Sequence, residues 1–128
     1  MSREAEPTFE GIPYGELPRE GIDWTYRAEH IRSRSVRKGP QEFDVEPEWA
    51  TEAALDINAL IGPGSSPTSV EVIGLSPSAP SPDGRSLGRL LKVWLVPKSH
   101  PPDGDWWGAS ACAANDEDIA GYWDKESS

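Results

Sequence analysis

The segment GRLLKVWLVPK, residues 88–98, decides the fold class of this chain. Its aliphatic residues alternate with Lys92 and Trp94, and this period of two indicates a β-strand. Leu91 and Leu95 are therefore expected on one face of a sheet, and Lys92 on the other.

Two further β-like runs flank this strand. SVEVIGLSPS, residues 69–78, precedes it across the loop APSPDGRSL, and DWWGASACA, residues 105–113, follows the turn SHPPDGD. Strands joined by such Ser-, Pro- and Gly-rich connections predict an antiparallel sheet. Trp106 and Trp107 are adjacent, so one should enter the core while the other is exposed or meets a partner. The exposed tryptophan could stack an RNA base, anchor a protein partner or be covered by the N-terminal arm.

A helix is predicted before the strands. Residues 23–38 contain neither Pro nor Gly, and Asp23 is a candidate N-cap. We expect a short strand or turn over residues 22–25, followed by a helix that continues to about Lys38.

Two more helices complete the pattern. One is predicted over residues 47–56, because Pro47 suits the first turn of a helix. The other is predicted over residues 115–123, with Asn115 or Asp116 as its N-cap. This order predicts an α+β fold, in which a small antiparallel β-sheet packs against two N-terminal helices and one C-terminal helix.

The chain is expected to form one domain over residues 22–124. Residues 1–21 alternate Glu, Pro and Gly and predict an extended or disordered arm, whose candidate packing residues are Phe9, Ile12 and Tyr14. Residues 125–128 are expected to be a tail.

Composition narrows the classes of function. Cys112 is the single cysteine of the 128 residues, and His30 and His100 are the only histidines. This set predicts neither a disulfide framework nor a structural metal site, and we expect no cofactor. The absence of a long apolar run predicts a soluble cytoplasmic protein without a membrane partner. A formal net charge of -10 argues against nucleic-acid binding over the whole surface, although a local basic cluster could still bind it.

Such a cluster is present in YRAEHIRSRSVRKG, residues 26–39, which holds five of the twelve Lys and Arg residues. On a continuous helix, His30, Arg34, Arg37 and Lys38 would share one face. RNA cleavage by internal transesterification requires a base for the 2′-hydroxyl and positive charge for the phosphorane. His30 and the arginines are candidates for those two roles.

Plainer interpretations stay open. The basic residues could form a solvated helix face, paired with Glu29, Glu42, Asp44 or Glu46. Cys112 lies in an apolar run and is more typical of a small buried hydrophobe than of a nucleophile. The acidic residues of DEDIAGYWD are explained by helix capping and the helix dipole, without a cation.

Several of these segments, taken together, resemble BrnT-type toxins of type II toxin-antitoxin systems, which share the RelE-like ribonuclease architecture. IDWTYRAEHIRSR matches the opening tryptophan strand and basic helix, and VEPEWATEAALD matches the next helix. GRLLKVWLV matches the central strand, and WWGASACAANDEDIAGYW matches the terminal strand and helix. The resemblance covers residues 22–124 and places Ser110 on the serine of the family's SAR motif.

The resemblance implies a toxin that cleaves mRNA and inhibits translation. Its expected partners are a cognate antitoxin protein and RNA, with ribosome-bound mRNA as one candidate substrate. The candidate catalytic residues are His30, Arg34 and Arg37. The candidate residues for binding RNA or a protein are Arg27, Arg32, Lys38, Arg89, Lys92 and Trp107.

An alternative function follows from two departures from the family pattern. Cys112 stands where the family has an arginine, and Lys125 is the only base in residues 101–128. The alternative is a catalytically silent interaction module of the same fold, whose basic helix binds an acidic protein partner. A cysteine-dependent hydrolase is a third, remote interpretation.

Overall fold

The computed structural model describes residues 7–127, without the side chains of residues 125–127. The short elements of the N-terminal arm are β1 (Thr8–Phe9), β2 (Ile12–Pro13) and a 3-10 turn (Tyr14–Glu16). The remaining elements are β3 (Gly21–Asp23), α1 (Ala28–Arg32), α2 (Arg34–Lys38), α3 (Pro47–Ala54), β4 (Leu60–Pro63), β5 (Val70–Pro80), β6 (Leu87–Pro97), β7 (Asp105–Ala113) and α4 (Asp116–Ser127).

The main sheet has five strands in the order β3-β7-β6-β5-β4. The pairs among β4, β5, β6 and β7 are antiparallel, whereas β3 runs parallel to β7. The α+β class is therefore confirmed, but the prediction of a wholly antiparallel sheet is wrong. A parallel pair needs a long crossover, and the segment with α1, α2 and α3 is part of the connection between β3 and β7.

The predicted first helix is interrupted. At Ser33 the backbone leaves helical geometry, with φ -117° and ψ 26°, and the Ser33 hydroxyl donates a hydrogen bond to the carbonyl of Glu29 at 2.7 Å. Such bonding of a serine to the preceding turn competes with regular helix. Three helices therefore precede the main antiparallel strands, instead of the two predicted. The predicted N-cap role of Asp23 is also wrong, because its carboxylate accepts the Thr25 amide at 2.9 Å while Arg27 precedes α1.

One face of the sheet forms the main core with α1 and α3. Its fully buried strand residues include Val72, Leu91, Val93 and Trp106. Helix α3 packs so close to β5 that a Cβ atom on Gly74 would overlap the carbonyl oxygen of Ala53. The glycine therefore permits helix and strand to meet backbone to backbone.

The described part of the N-terminal arm packs on this core. Phe9 is buried and lies against the Trp106 ring, with 6.3 Å between ring centroids. Ile12 and Tyr14 are partly buried against the same cluster, as expected. The indole Nε1 of Trp106 donates to the carbonyl of Pro18 at 2.9 Å, so the arm covers Trp106.

Helix α4 packs on the opposite face of the sheet. Tyr122 is buried there with Ile73 and Leu90, and Ile119 packs beside them. Lys92 and Trp94 lie on the same side, farther along β6, and are only partly buried. The placement of Lys92 on the face opposite Leu91 and Leu95 is confirmed. No helix within residues 7–127 has both the length and the apolar composition needed to span a bilayer.

Candidate functional site

His30 lies within a group of four cations. Burial lowers the pKa of its imidazole, and the positive charges of Arg37, Arg27, Arg34 and Lys38 lower it further. The guanidinium of Arg37 also donates to the His30 carbonyl at 2.7 Å. Despite the break at Ser33, all four cations remain close enough to His30 to affect the pKa of its imidazole. We call these five residues the His30 cluster.

Carboxylates from the loop after α2 neutralise part of the basic segment. Arg34 Nε lies 2.6 Å from Glu42 Oε1, and Arg32 Nε lies 3.0 Å from Glu46 Oε1. The proposed pairing with Glu42 and Glu46 is therefore present. The Arg32–Glu46 pair is exposed and contributes little to stability, whereas the Arg34–Glu42 pair is partly buried.

Three cations of the His30 cluster are more available than Arg34 to bind an anionic ligand. Arg27, Arg37 and Lys38 are exposed, and among the side chains of residues 7–124 none of them forms an ion pair with a carboxylate. Asp44 is held instead by Ser35, whose backbone amide and hydroxyl bind its carboxylate at 2.6 and 2.8 Å. These hydrogen bonds lower the pKa of Asp44, to which Arg37 adds a smaller effect.

Lys92 is engaged by helix α4. Its ammonium Nζ lies 2.9 Å from Asp118 Oδ2, and both side chains are less than one-fifth exposed. Burial alone would lower the pKa of Lys92, but the hydrogen bond and charge of Asp118 outweigh it and raise the pKa. Asp118 also caps α4 with Asn115, whose side-chain oxygen accepts the Asp118 amide at 2.8 Å. The predicted N-cap role of Asn115 is confirmed.

Cys112 connects Lys92 with the His30 cluster. It pairs with Lys92 across β6 and β7, and it lies within electrostatic range of Arg34. Burial raises the pKa of the Cys112 thiol, although Arg34 and Lys92 oppose that shift. A thiol that stays protonated near neutral pH is a poor nucleophile, which disfavours the cysteine-hydrolase interpretation.

A β-bulge in β7 places Trp107 on the same sheet face as Lys92. Ser110 pairs with Trp94, but the next pair along β6 skips Ala109. Because one residue is inserted, Trp107 and Ser110 lie on the same face as Lys92, although three positions separate them. Trp106 is fully buried, so the prediction that one residue of this pair enters the core is confirmed. Trp107 is only partly exposed, because Tyr26 and Lys98 lie against its ring.

Trp107 forms an aromatic pocket with Tyr26. The two ring centroids are 5.5 Å apart, and the Lys98 ammonium lies 4.3 Å from the centroid of Trp107. A cavity of about 260 Å³ opens here, and Arg27 and Ala109 are among its lining residues. We call it the Tyr26–Trp107 pocket.

Tyr26 and Lys98 were not among the predicted site residues. The pocket depends on the parallel pairing of β3 with β7, which aligns Asp23 with Trp107. The aromatic character of Tyr26, directly before the basic run, was the only available signal in the sequence.

Two predicted binding residues lie elsewhere. Arg89 lies on the face of β6 that carries Leu91 and Leu95. Its guanidinium carbon lies 3.9 Å from the Phe43 ring centroid, and its Nε donates to the Pro80 carbonyl at 2.9 Å. Arg32 pairs with Glu46 and lines an open depression beside β3. Neither residue lines the Tyr26–Trp107 pocket or acts on the His30 imidazole.

Among the described side chains, those of residues 7–124, no three of His, Cys, Asp or Glu are grouped so that they could hold a metal ion. Comparisons with models of known protein families, with curated proteins and with solved structures find no significant match.

Proposed function

We propose that the chain is the RNA-cleaving toxin of a type II toxin-antitoxin system, with a BrnT- and RelE-like fold, and that it inhibits translation in the cytoplasm. The observation that carries the proposal is the His30 cluster: the Arg37 guanidinium donates to the His30 carbonyl, the other three cations are close enough to lower the pKa of the imidazole, and Arg27 also lines the Tyr26–Trp107 pocket. The resemblance in sequence supplies the toxin context. The cognate antitoxin would cover this basic surface.

The proposed chemistry is internal transesterification. Neutral His30 accepts the proton of a 2′-hydroxyl, the 2′-oxygen attacks phosphorus, and the bond from phosphorus to the 5′-oxygen breaks. Water supplies a proton to the leaving 5′-oxygen. Arg34 and Arg37 stabilise the negative charge that develops on the phosphorane. The products are a 2′,3′-cyclic phosphate and a 5′-hydroxyl.

A second candidate is the catalytically silent interaction module. It is favoured by the carboxylates that already neutralise two cations, Glu42 on Arg34 and Asp118 on Lys92. In this case Arg27, Arg37 and Lys38 dock an acidic protein. Salt-sensitive binding to a protein without RNA cleavage at any concentration would favour it.

A growth assay separates the two. Expression of the wild-type chain without an antitoxin should arrest growth, and the double variant His30→Ala, Arg34→Ala should relieve the arrest. Arg85→Ala is the matched control, because Arg85 is exposed in the loop between β5 and β6. Normal growth with wild-type protein present at equal abundance would remove the toxin claim.

A further inference from the structure

We propose that the Tyr26–Trp107 pocket binds one unpaired base of single-stranded RNA. The bound base would position the RNA backbone at the His30 cluster. This inference rests on the proposed function, because it names the substrate class of the same site.

The aromatic groups of the pocket suit a base. Tyr26 is 78% exposed, and its ring is tilted by 48° against that of Trp107. Aromatic side chains exposed in a basic groove are the platforms on which single-stranded nucleic acids stack. A cavity of about 260 Å³ accommodates a single base, whereas drug-sized ligands occupy larger pockets.

The charge at the pocket also suits a polyanion. Among the described residues, Asp23 is the one carboxylate that lines it, but Lys98 Nζ lies 2.8 Å from Asp23 Oδ2, and Thr25 binds the other oxygen. The hydrogen bond from Lys98, followed by those from Thr25, strongly lowers the pKa of Asp23. Its negative charge is therefore compensated within the protein.

Arg27 joins the pocket to the His30 cluster. It lines the cavity, and it is one of the cations that act on His30. A base in the pocket would place a neighbouring phosphate at Arg27 and bring the RNA backbone toward the imidazole. A paired base is stacked inside its helix and cannot enter, so the pocket selects single strands.

The test is binding of the full-length chain to a labelled 2′-O-methyl hexaribonucleotide, which lacks the attacking hydroxyl. The same strand annealed to its complement is the second probe. Tyr26→Leu and Trp107→Leu should each weaken binding of the single strand about tenfold. Trp123→Leu is the matched control, because Trp123 is half-exposed on α4 and lines a different cavity. The duplex should bind at least about tenfold more weakly than the single strand to the wild-type chain.

Tyr26→Leu keeps the test valid if Trp107→Leu does not fold, since the Tyr26 side chain is largely in water. The salt dependence of RNA binding by Tyr26→Leu should equal that of wild type, because this variant retains the contacts with phosphate. Equal affinity of Tyr26→Leu and wild type, or of duplex and single strand, would overturn the inference. Cleavage that persists unchanged in Tyr26→Leu would refute the pocket alone. Pocket-dependent binding without cleavage or growth arrest would refute the proposed function alone, and absence of RNA binding would refute both.

Discussion

The charge on His30 determines whether it can act as a base. Burial disfavours the imidazolium, and four nearby cations disfavour it further, so the neutral ring persists to a lower pH than in an ordinary histidine. A neutral imidazole beside positive charge can take a proton while its neighbours hold a phosphate. In the proposed mechanism the cations therefore tune the base and also contact the RNA.

Arg37→Gln should raise the pKa of His30, because removal of a positive charge makes the imidazolium less costly. The change is measurable by NMR titration of the His30 ring, with His100 as a reference in the same molecule. The acidic limb of RNA cleavage should move to higher pH in parallel. Arg85→Gln should leave both unchanged, and an unaltered His30 titration in Arg37→Gln would refute the electrostatic account.

The contact of α3 with β5 sets the spacing of these elements. Gly74→Ala should lower the free energy of unfolding by about 2 kcal/mol, because the added methyl overlaps backbone at Ala53. Urea denaturation measures this change. Gly62→Ala is the control, since a Cβ at that β4 position meets no atom within 4 Å. Equal stability of Gly74→Ala and wild type would show that the helix can move aside.

Helix α4 is attached through Asp56, which follows α3. The Tyr122 hydroxyl donates to Asp56 Oδ2 at 2.7 Å, and the same oxygen accepts the Leu75 amide at 2.8 Å. Tyr122→Phe should lower the free energy of unfolding by about 2 kcal/mol, the usual range for a hydrogen bond to a charged group. Tyr26→Phe should change it by less than about 0.5 kcal/mol, as expected for an exposed side chain. Urea midpoints that agree between the two variants would contradict this role of Asp56.

Strong local patterns made several elements predictable. The alternation of apolar and polar residues located β6 to within one residue, and β7 has the predicted bounds Asp105–Ala113. β4 was missed because Leu60–Pro63 contains Gly and Pro and is only four residues long. The pairing of β3 with β7 was missed because parallel pairing between distant residues leaves no local signal.

The candidate site divides in the same way. His30 and its cations were predictable because they are close in sequence and retain their proximity despite the break at Ser33. The contacts of Lys92 with Asp118 and of Tyr26 with Trp107 depend on tertiary packing. The Lys92–Asp118 ion pair affects the site prediction most, because it neutralises the positive charge that Lys92 was expected to contribute to RNA binding.

At the scale of the whole molecule, the net charge would restrict the proposed RNA substrate to one surface. The chain carries 22 acidic and 12 basic residues, so most of its surface outside the His30 cluster should repel RNA phosphates. With Arg27, Arg37 and Lys38 as the exposed cations of the His30 cluster, we expect log affinity for single-stranded RNA to fall with log salt at a slope of about -2. Arg37→Gln should reduce that slope by about 0.7. A slope unaffected by this variant would place the phosphate contacts elsewhere.

The most direct test of the central claim is the fate of RNA incubated with the purified chain, with and without ribosomes. We predict products that end in a 2′,3′-cyclic phosphate and a 5′-hydroxyl. His30→Ala should reduce the rate at least about 100-fold, the usual contribution of a general base. Absence of cleavage at every protein concentration, or cleavage at an equal rate by His30→Ala, would contradict the account.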